Sequence, residues 1–343
     1  MGYDYLKQVE YLNSLGLVDK NGQKIQYYDA FYGMKIEFLF EEPFQSYQEY
    51  INRAEKKYGF TPTLLAFIHN GNINAFAWKS NSLIGINAGT IIQMSELFSG
   101  VDYKTLMKGE LESFHILDKV GQEGFLEKMY KYCQMFTFFH ELGHIIQDDL
   151  RGISHFSEMV NCGSYSQEVH LMEYDADQYA AIQIANHINQ WMESLEGKLK
   201  QAYYKKEVAE MLLSTGVGAI FINYLIFQGR HDAFYTNSCS HPHPSIRATY
   251  IMNTIVDAFK SGNKGGFDID ANSVFRNGFI LTERVINDAH PRGVVFKNGD
   301  EFSRFFEIWE ANQKEILEYV NVLKAMALET DGLAVEKYNG RIK

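Results

Sequence analysis

The sequence predicts an α+β protein: a mainly helical body with a small antiparallel or mixed sheet beside one long buried helix. Three observations lead there. Residues 63–89 alternate in a strand-like way and are cut by short polar turns. Residues 125–148 and 167–195 run as long helical patterns without a proline. Residues 212–227 and 300–328 add one apolar run and one amphipathic run at helical spacing.

Taken in order, residues 1–62 mix aromatic turns (Tyr27, Tyr28, Phe31, Tyr32) with an expected strand at 34–40 and a charged helix near 47–57. Only Pro43 and Pro62 interrupt this region, so it contains no long linker. Three strands are then expected at 64–69, 73–79 and 83–87. They are separated by Asn70-Gly71-Asn72, a tight-turn signal, and by Ser80-Asn81, and together they make a meander. Helices are expected at 90–98, 103–119, 125–148 and 167–195, and another at 198–213 leading into the apolar run. Residues 229–247 read as a polar loop rich in donors: Arg230, His231, Tyr235, His241, His243 and Arg247. Residues 261–299 read as a loop-rich connection. The final helix, 300–328, carries Phe302, Phe305, Phe306, Ile308, Trp309 and Ile316 on one stripe, which suits packing or a partner surface. No repeat or low-complexity tract is present.

The 343 residues, 46% hydrophobic, are enough for a substantial core. The formal charge of −11 argues against nucleic acid as a partner, since phosphate binding draws on a basic surface. Three widely spaced cysteines, Cys133, Cys162 and Cys239, do not resemble a secreted disulfide framework. The first residues have no basic stretch followed by an apolar one, so no signal peptide is expected and the compartment is read as a reducing cytoplasm. The apolar stretch 212–227 is shorter than the roughly 20 residues a bilayer span needs and carries Ser214, Thr215 and Asn223, so a buried core helix is expected rather than a membrane span.

The chemistry concentrates in Phe138-Phe139-His140-Glu141-Leu142-Gly143-His144-Ile145-Ile146. Positions i and i+4 of a helix share a face, so His140 and His144 can offer ring nitrogens to one cation while Glu141 stands beside them to accept a proton from bound water. The apolar flanks sharpen this reading: two imidazoles and a carboxylate in a buried helix need a metal or hydrogen bonds to satisfy them. The bland alternative is a helix with two solvated histidines.

A catalytic zinc takes three protein ligands and keeps one position open. The run from Gln167 to Ala181 supplies the third candidate, Glu173, with Asp177 one turn later to accept the outer N–H of a ligand histidine, expected to be His140. Ala176, Ala180 and Ala181 are small enough to let the two helices pack closely. Glu168 and His170 are rival ligands from the same segment, and Glu173, Asp175 and Asp177 could equally form a solvated acidic face.

His-Glu-x-x-His followed by Glu173-x-x-x-Asp177 resembles the gluzincin metallopeptidases. Asn74-Ala75-Phe76-Ala77 with the segment from Leu83 to Gly89, and Ser240-His241-Pro242-His243-Pro244-Ser245-Ile246-Arg247, resemble its M48-like branch. The doubled His-Pro and the lack of clear membrane spans look closest to Lit, the phage-exclusion peptidase family. The matched motifs lie between Asn74 and Arg247.

The resemblance implies a zincin-like fold over residues 1–260, with 261–343 as a helical extension packed on it. It implies Zn2+ held by His140, His144 and Glu173, with Glu141 as general base and His241 and Arg247 as oxyanion stabilisers. It also implies that Asn74, Ile84, Gly85, Ile86, Asn87 and Ala88 line the cleft and take a protein or peptide substrate by strand addition. A Lit-like enzyme would be a selective defence protease whose target is a translation elongation factor. The alternative from another class is a zinc-binding regulatory or interaction protein with a silent or partner-activated site.

Overall fold

The structure, a computed structural model, describes residues 3–19, 22–120, 124–147, 155–157, 162–195, 202–228, 232–262, 266, 268–296, 299–330 and 333–335. Its elements run α1 (Tyr5–Leu15), α2 (Phe38–Tyr58), β1 (Leu64–Ile68), β2 (Ala75–Trp78), β3 (Leu83–Asn87), α3 (Ala88–Ser99), α4 (Tyr103–Leu106), α5 (His115–Val120), α6 (Phe125–Ile146), β4 (His155–Ser157), α7 (Gln167–Ser194), α8 (Ala202–Gln228), α9 (Pro244–Gly262), α10 (Ala271–Ala289), α11 (Glu301–Ala311) and α12 (Gln313–Glu329). A mostly helical chain with a small mixed sheet makes this an α+β fold.

The sheet has the order β1-β3-β2-β4. The three predicted strands are present, but they do not form a meander: β1 pairs parallel with β3, and β2 pairs antiparallel with β3 on the other side. The Asn70-Gly71-Asn72 signal is therefore not a hairpin. Its backbone is held by the start of α3, where the Gly89 N–H donates to Asn70 O (2.9 Å) and Gln93 Nε2 to Gly71 O (2.7 Å). A Cβ on Gly89 would collide with the Gly71 carbonyl, so the turn seats only on glycine. An unanticipated strand, β4, pairs antiparallel with β2 and forms one edge.

The outer edge of β1 is covered by the chain before α2. Tyr28 N–H donates to Phe67 O, and His69 N–H to Gln26 O, both at 2.8 Å. Tyr5 pins this cover, donating its hydroxyl to Tyr28 O and accepting from Phe67 N–H, both at 3.0 Å. Phe31, Phe44 and Phe67 close around its ring, and Phe40 stacks on Phe31. The strand expected at 34–40 is instead a turn running into α2. The apparent alternation of Ile36, Phe38 and Phe40 misleads, because Phe38 is 63% exposed whereas Leu39, Phe40 and Phe44 are buried, a helical period.

The helix expected over 103–119 is broken into α4, a 3₁₀ turn and α5, with Gly109 at φ +58° in the break. The carbonyls freed there, Leu106 O and Lys108 O, accept from Arg284 Nη1 at 2.7 and 2.6 Å. The expected loop at 261–299 contains α10, capped by Asp270, whose carboxylate accepts from Asn272 and Ser273 N–H. The glycine-rich segments that suggest a loop, 261–266 and 298–299, lie on either side of it. Gly278 lets α10 lie close on α8, since a Cβ there would stand 2.6 Å from Val217 Cγ1. The helix expected over 300–328 is split at Asn312, where ψ of 23° turns the chain between α11 and α12.

Helix α8 is longer than the apolar run suggested. The stretch Lys205–Phe227 is long and apolar enough to cross a membrane, and 89% of its 18 most apolar consecutive residues are buried inside the protein. The helix is therefore not too short for a span, contrary to the expectation from the sequence; it packs among the other helices of the core. Its Asn223 amide donates to Cys133 O and Thr137 Oγ1 on α6, at 2.9 and 2.8 Å. Two of the three cysteines are joined, Cys162 to Cys239, which ties the chain entering α7 to the segment before α9. The odd number and wide spacing of the cysteines do not suggest this bridge. Cys133 is free and buried.

Candidate metal centre

Helices α6 and α7 cross at a contact made of small residues. A Cβ on Gly143 would lie 3.0 Å from Cα and 3.3 Å from Cβ of Ala176, so glycine and alanine here bring the two backbones together. The crossing aligns the turn carrying His140 and His144 with the turn carrying Glu173.

The resulting triangle has the dimensions of a metal site. His140 Nε2 lies 3.0 Å from His144 Nε2 and 3.3 Å from Glu173 Oε2, and His144 Nε2 lies 3.4 Å from Glu173 Oε1. A tetrahedral ion with ligand bonds of 2.0–2.1 Å separates its ligands by about 3.3 Å. All three side chains are buried, and their ligand atoms fall within 4.8 Å of one another. The group could hold a metal ion.

The outer faces of both imidazoles are engaged. His140 Nδ1 lies 2.8 Å from Asp177 Oδ1, the partner expected from the spacing. His144 Nδ1 lies 3.0 Å from Gln147 Oε1. With each Nδ1 turned to an oxygen, each Nε2 is left to face the shared point, the arrangement a metal-binding histidine requires. Burial would raise the Glu173 carboxyl, but His241, His144 and His140 around it hold it well below the usual carboxylate range. Burial acts likewise on Asp177, and the charge of Arg247 with His140 overcomes it, bringing Asp177 down to about 2.

Arg247 is not arranged as an oxyanion donor. It lies in the first turn of α9, not in a loop, and is fully buried. Its Nε and Nη2 donate to the two oxygens of Asp177 at 2.8 and 2.6 Å, and its guanidinium stacks 4.5 Å from the Tyr224 ring centroid. Tyr250 also donates to Asp177 Oδ2, at 2.5 Å. Arg247 thus faces Asp177, which in turn faces His140, and its Nη2 lies 3.8 Å from Glu173 Oε2; the motif itself carried no direction for this side chain.

His241 does reach the centre, with Nε2 3.4 Å from Glu173 Oε1 and Nδ1 3.0 Å from Ser240 Oγ. His243 does something else: its Nδ1 accepts from Ser245 N–H at 3.1 Å and caps α9, whose first residue is Pro244. The second His-Pro is thus a helix start. Arg230 and His231 lie outside the described residues. Glu141 is 1% exposed within α6.

The rival ligands are accounted for. Glu168 accepts from Ser166 Oγ at the start of α7. His170 faces Cys239 O and Tyr319 Oη, both at 2.9 Å, away from the triangle. Glu173, Asp175 and Asp177 are all buried, so no solvated acidic face exists here.

The expected cleft residues do not line an open edge. Strand β3 is central, paired on both sides, so Ile84, Gly85 and Ile86 have no backbone groups left for an added strand. Gly85 lies under the Phe76 ring, Asn87 Nδ2 donates to Asn72 O, and Asn74 is bound by Thr90 through both N–H and C=O. Ala88 is the buried first residue of α3. These positions brace the sheet against α3.

Sequence reasoning missed Gln147, three residues after His144 and beyond the recognised motif. Its amide is buried, with Nε2 donating to Met172 O at 2.8 Å and to Asp175 Oδ2 at 2.7 Å. No protein family, curated protein or solved structure matches the chain.

Proposed function

We propose that this protein is a zinc-dependent endopeptidase of the gluzincin type, with a zincin-like fold. The observation that supports it most is the triangle of His140, His144 and Glu173 with both histidines braced from behind by Asp177 and Gln147. That donor set, two neutral imidazoles and a carboxylate, suits Zn2+. When bound, the ion would supply Lewis acidity and lower the pKa of its water toward 7.

The chain's own residues would do the rest. Glu141, next to His140 on α6, accepts the proton of the attacking water and delivers it to the leaving amine. His241, beside Glu173, is the residue in reach to stabilise the developing oxyanion. Asp177, held by Arg247 and Tyr250, keeps His140 oriented. The resemblance to Lit extends the proposal to a protease selective for one protein target.

Glu141→Gln tests the mechanism. The variant should retain stoichiometric zinc and lose peptide-bond hydrolysis, and hydrolysis at the wild-type rate would end the proposal.

One observation favours a second reading, a regulatory metal protein whose peptidase site is silent until a partner acts. His140, Glu141, His144 and Glu173 are each 1% exposed and His241 is 3% exposed, so a polypeptide needs the site to open before it can enter. Bound zinc with no turnover of any cellular protein, judged by newly formed chain termini, would select this reading.

A further inference from the structure

Asp175 lies between the two carboxylates that serve the metal centre and points elsewhere. It is 2% exposed, and both of its oxygens are used by backbone from the far end of the chain. Ala334 N–H donates to Oδ2 at 2.8 Å and Val335 N–H to Oδ1 at 3.1 Å. Leu333 and Ala334 are buried where this segment docks, 2% and 0% exposed. The same Oδ2 accepts from Gln147 Nε2.

These contacts leave the Gln147 amide one orientation. Its NH2 group faces two acceptors, Asp175 Oδ2 and Met172 O, so its carbonyl oxygen must be the atom that meets His144. An oxygen at that point requires a proton on His144 Nδ1, which leaves the Nε2 lone pair directed at Glu173 and His140. A reversed amide would present N–H groups to His144 and set the opposite tautomer.

We infer that residues 333–335 are a positioning element of the metal centre, acting through Asp175 and Gln147 to hold His144 in the tautomer that offers Nε2 to a cation. The inference deepens the proposed function by naming what couples to its metal site, and its metal arm rests on that reading. Asp175 and Gln147 are positioning residues, since neither touches the ligand triangle from inside. Coupling of this kind is reciprocal: docking of the C-terminal segment tightens metal binding, and bound metal holds the segment down. A partner that lifts residues 333–335 would thereby loosen the metal without reaching the buried centre.

The test uses full-length Ala334→Pro, which removes one N–H donor, and Gln147→Leu, which cuts the relay, alone and together. Two readouts are taken: Zn2+ affinity by competition with a chromophoric chelator, and the 15N shifts of His144 in metal-free protein. Each single variant is expected to bind zinc about 10- to 100-fold more weakly, as loss of an outer hydrogen bond to a ligand histidine does. The double variant should be no weaker than Gln147→Leu alone, because both cut one path. His144 should be protonated at Nδ1 in the wild type and lose that preference in both variants. Unchanged zinc affinity with an unchanged His144 tautomer in folded Ala334→Pro would overturn the inference. A wild type that binds no zinc would overturn the metal reading instead, and the metal-free tautomer measurement would still decide whether the relay exists.

Discussion

The Cα of Ala176 stands 3.0 Å from where a Cβ on Gly143 would be, and this approach sets the spacing of the two helices that carry the candidate metal ligands His140, His144 and Glu173. Gly143→Ala should push them apart by a few tenths of an ångström. Because the obstacle is backbone, relaxation is limited, and a loss of about 1–3 kcal/mol in urea unfolding is expected together with weaker zinc binding. Wild-type stability in this variant would mean that the crossing is looser than described.

Arg247 and Asp177 form a buried pair behind His140. Arg247→Lys keeps the charge and loses the two-pronged contact, so zinc affinity should fall roughly tenfold. Asp177→Ala strands a buried guanidinium and should cost about 3–5 kcal/mol of stability. Chelator competition and chemical denaturation check the two effects separately.

His170 gives a pH dependence whose sign can be worked out. Burial lowers its pKa to about 4, against 6.5 in an unfolded chain. Between those values the unfolded state binds the extra proton, so stability is full above pH 6.5 and declines as pH falls toward 4, by about 3 kcal/mol. Replacing it in His170→Gln should flatten that part of the stability curve relative to wild type. Parallel curves from pH 4 to 7 would contradict the assignment.

The Cys162–Cys239 bond spans 77 residues, including α7 and α8. Closing a loop of that length should stabilise the fold by about 4.5 kcal/mol on a chain-entropy basis. Cys162→Ser should lower the urea midpoint accordingly, and a reductant should lower it in wild type but not in the variant. In the reducing compartment expected from the sequence, this bond is the one that thiols there would open.

The buried His-His-Glu cluster was legible because helical periodicity fixes which side chains share a face. His140 and His144 follow from a four-residue spacing within one helix, and Glu173 with Asp177 from the same spacing in another. The site's outer bracing was only half legible. Asp177 lies at a helical spacing from Glu173, but Gln147 and Asp175 are recognised only once residues 333–335 return from a distant part of the chain. Three of the four strands were legible, though not their order, since local turn chemistry at Asn70-Gly71-Asn72 cannot tell a hairpin from a loop seated on α3. Arg247 shows the same limit: its sequence position was right for the site, and its direction was set by Asp177 across the core.

The cover laid over β1 by residues 26–28 has a consequence for the protein's behaviour in crowded solution. Without it, β1 would present bare amides and carbonyls flanked by Leu65 and Phe67, the kind of border on which another molecule's strand can build. Residues 26–28, pinned by Tyr5, thus block one route to self-association, and a proteolytic cut that frees them would bare a strand edge on which aggregates could seed.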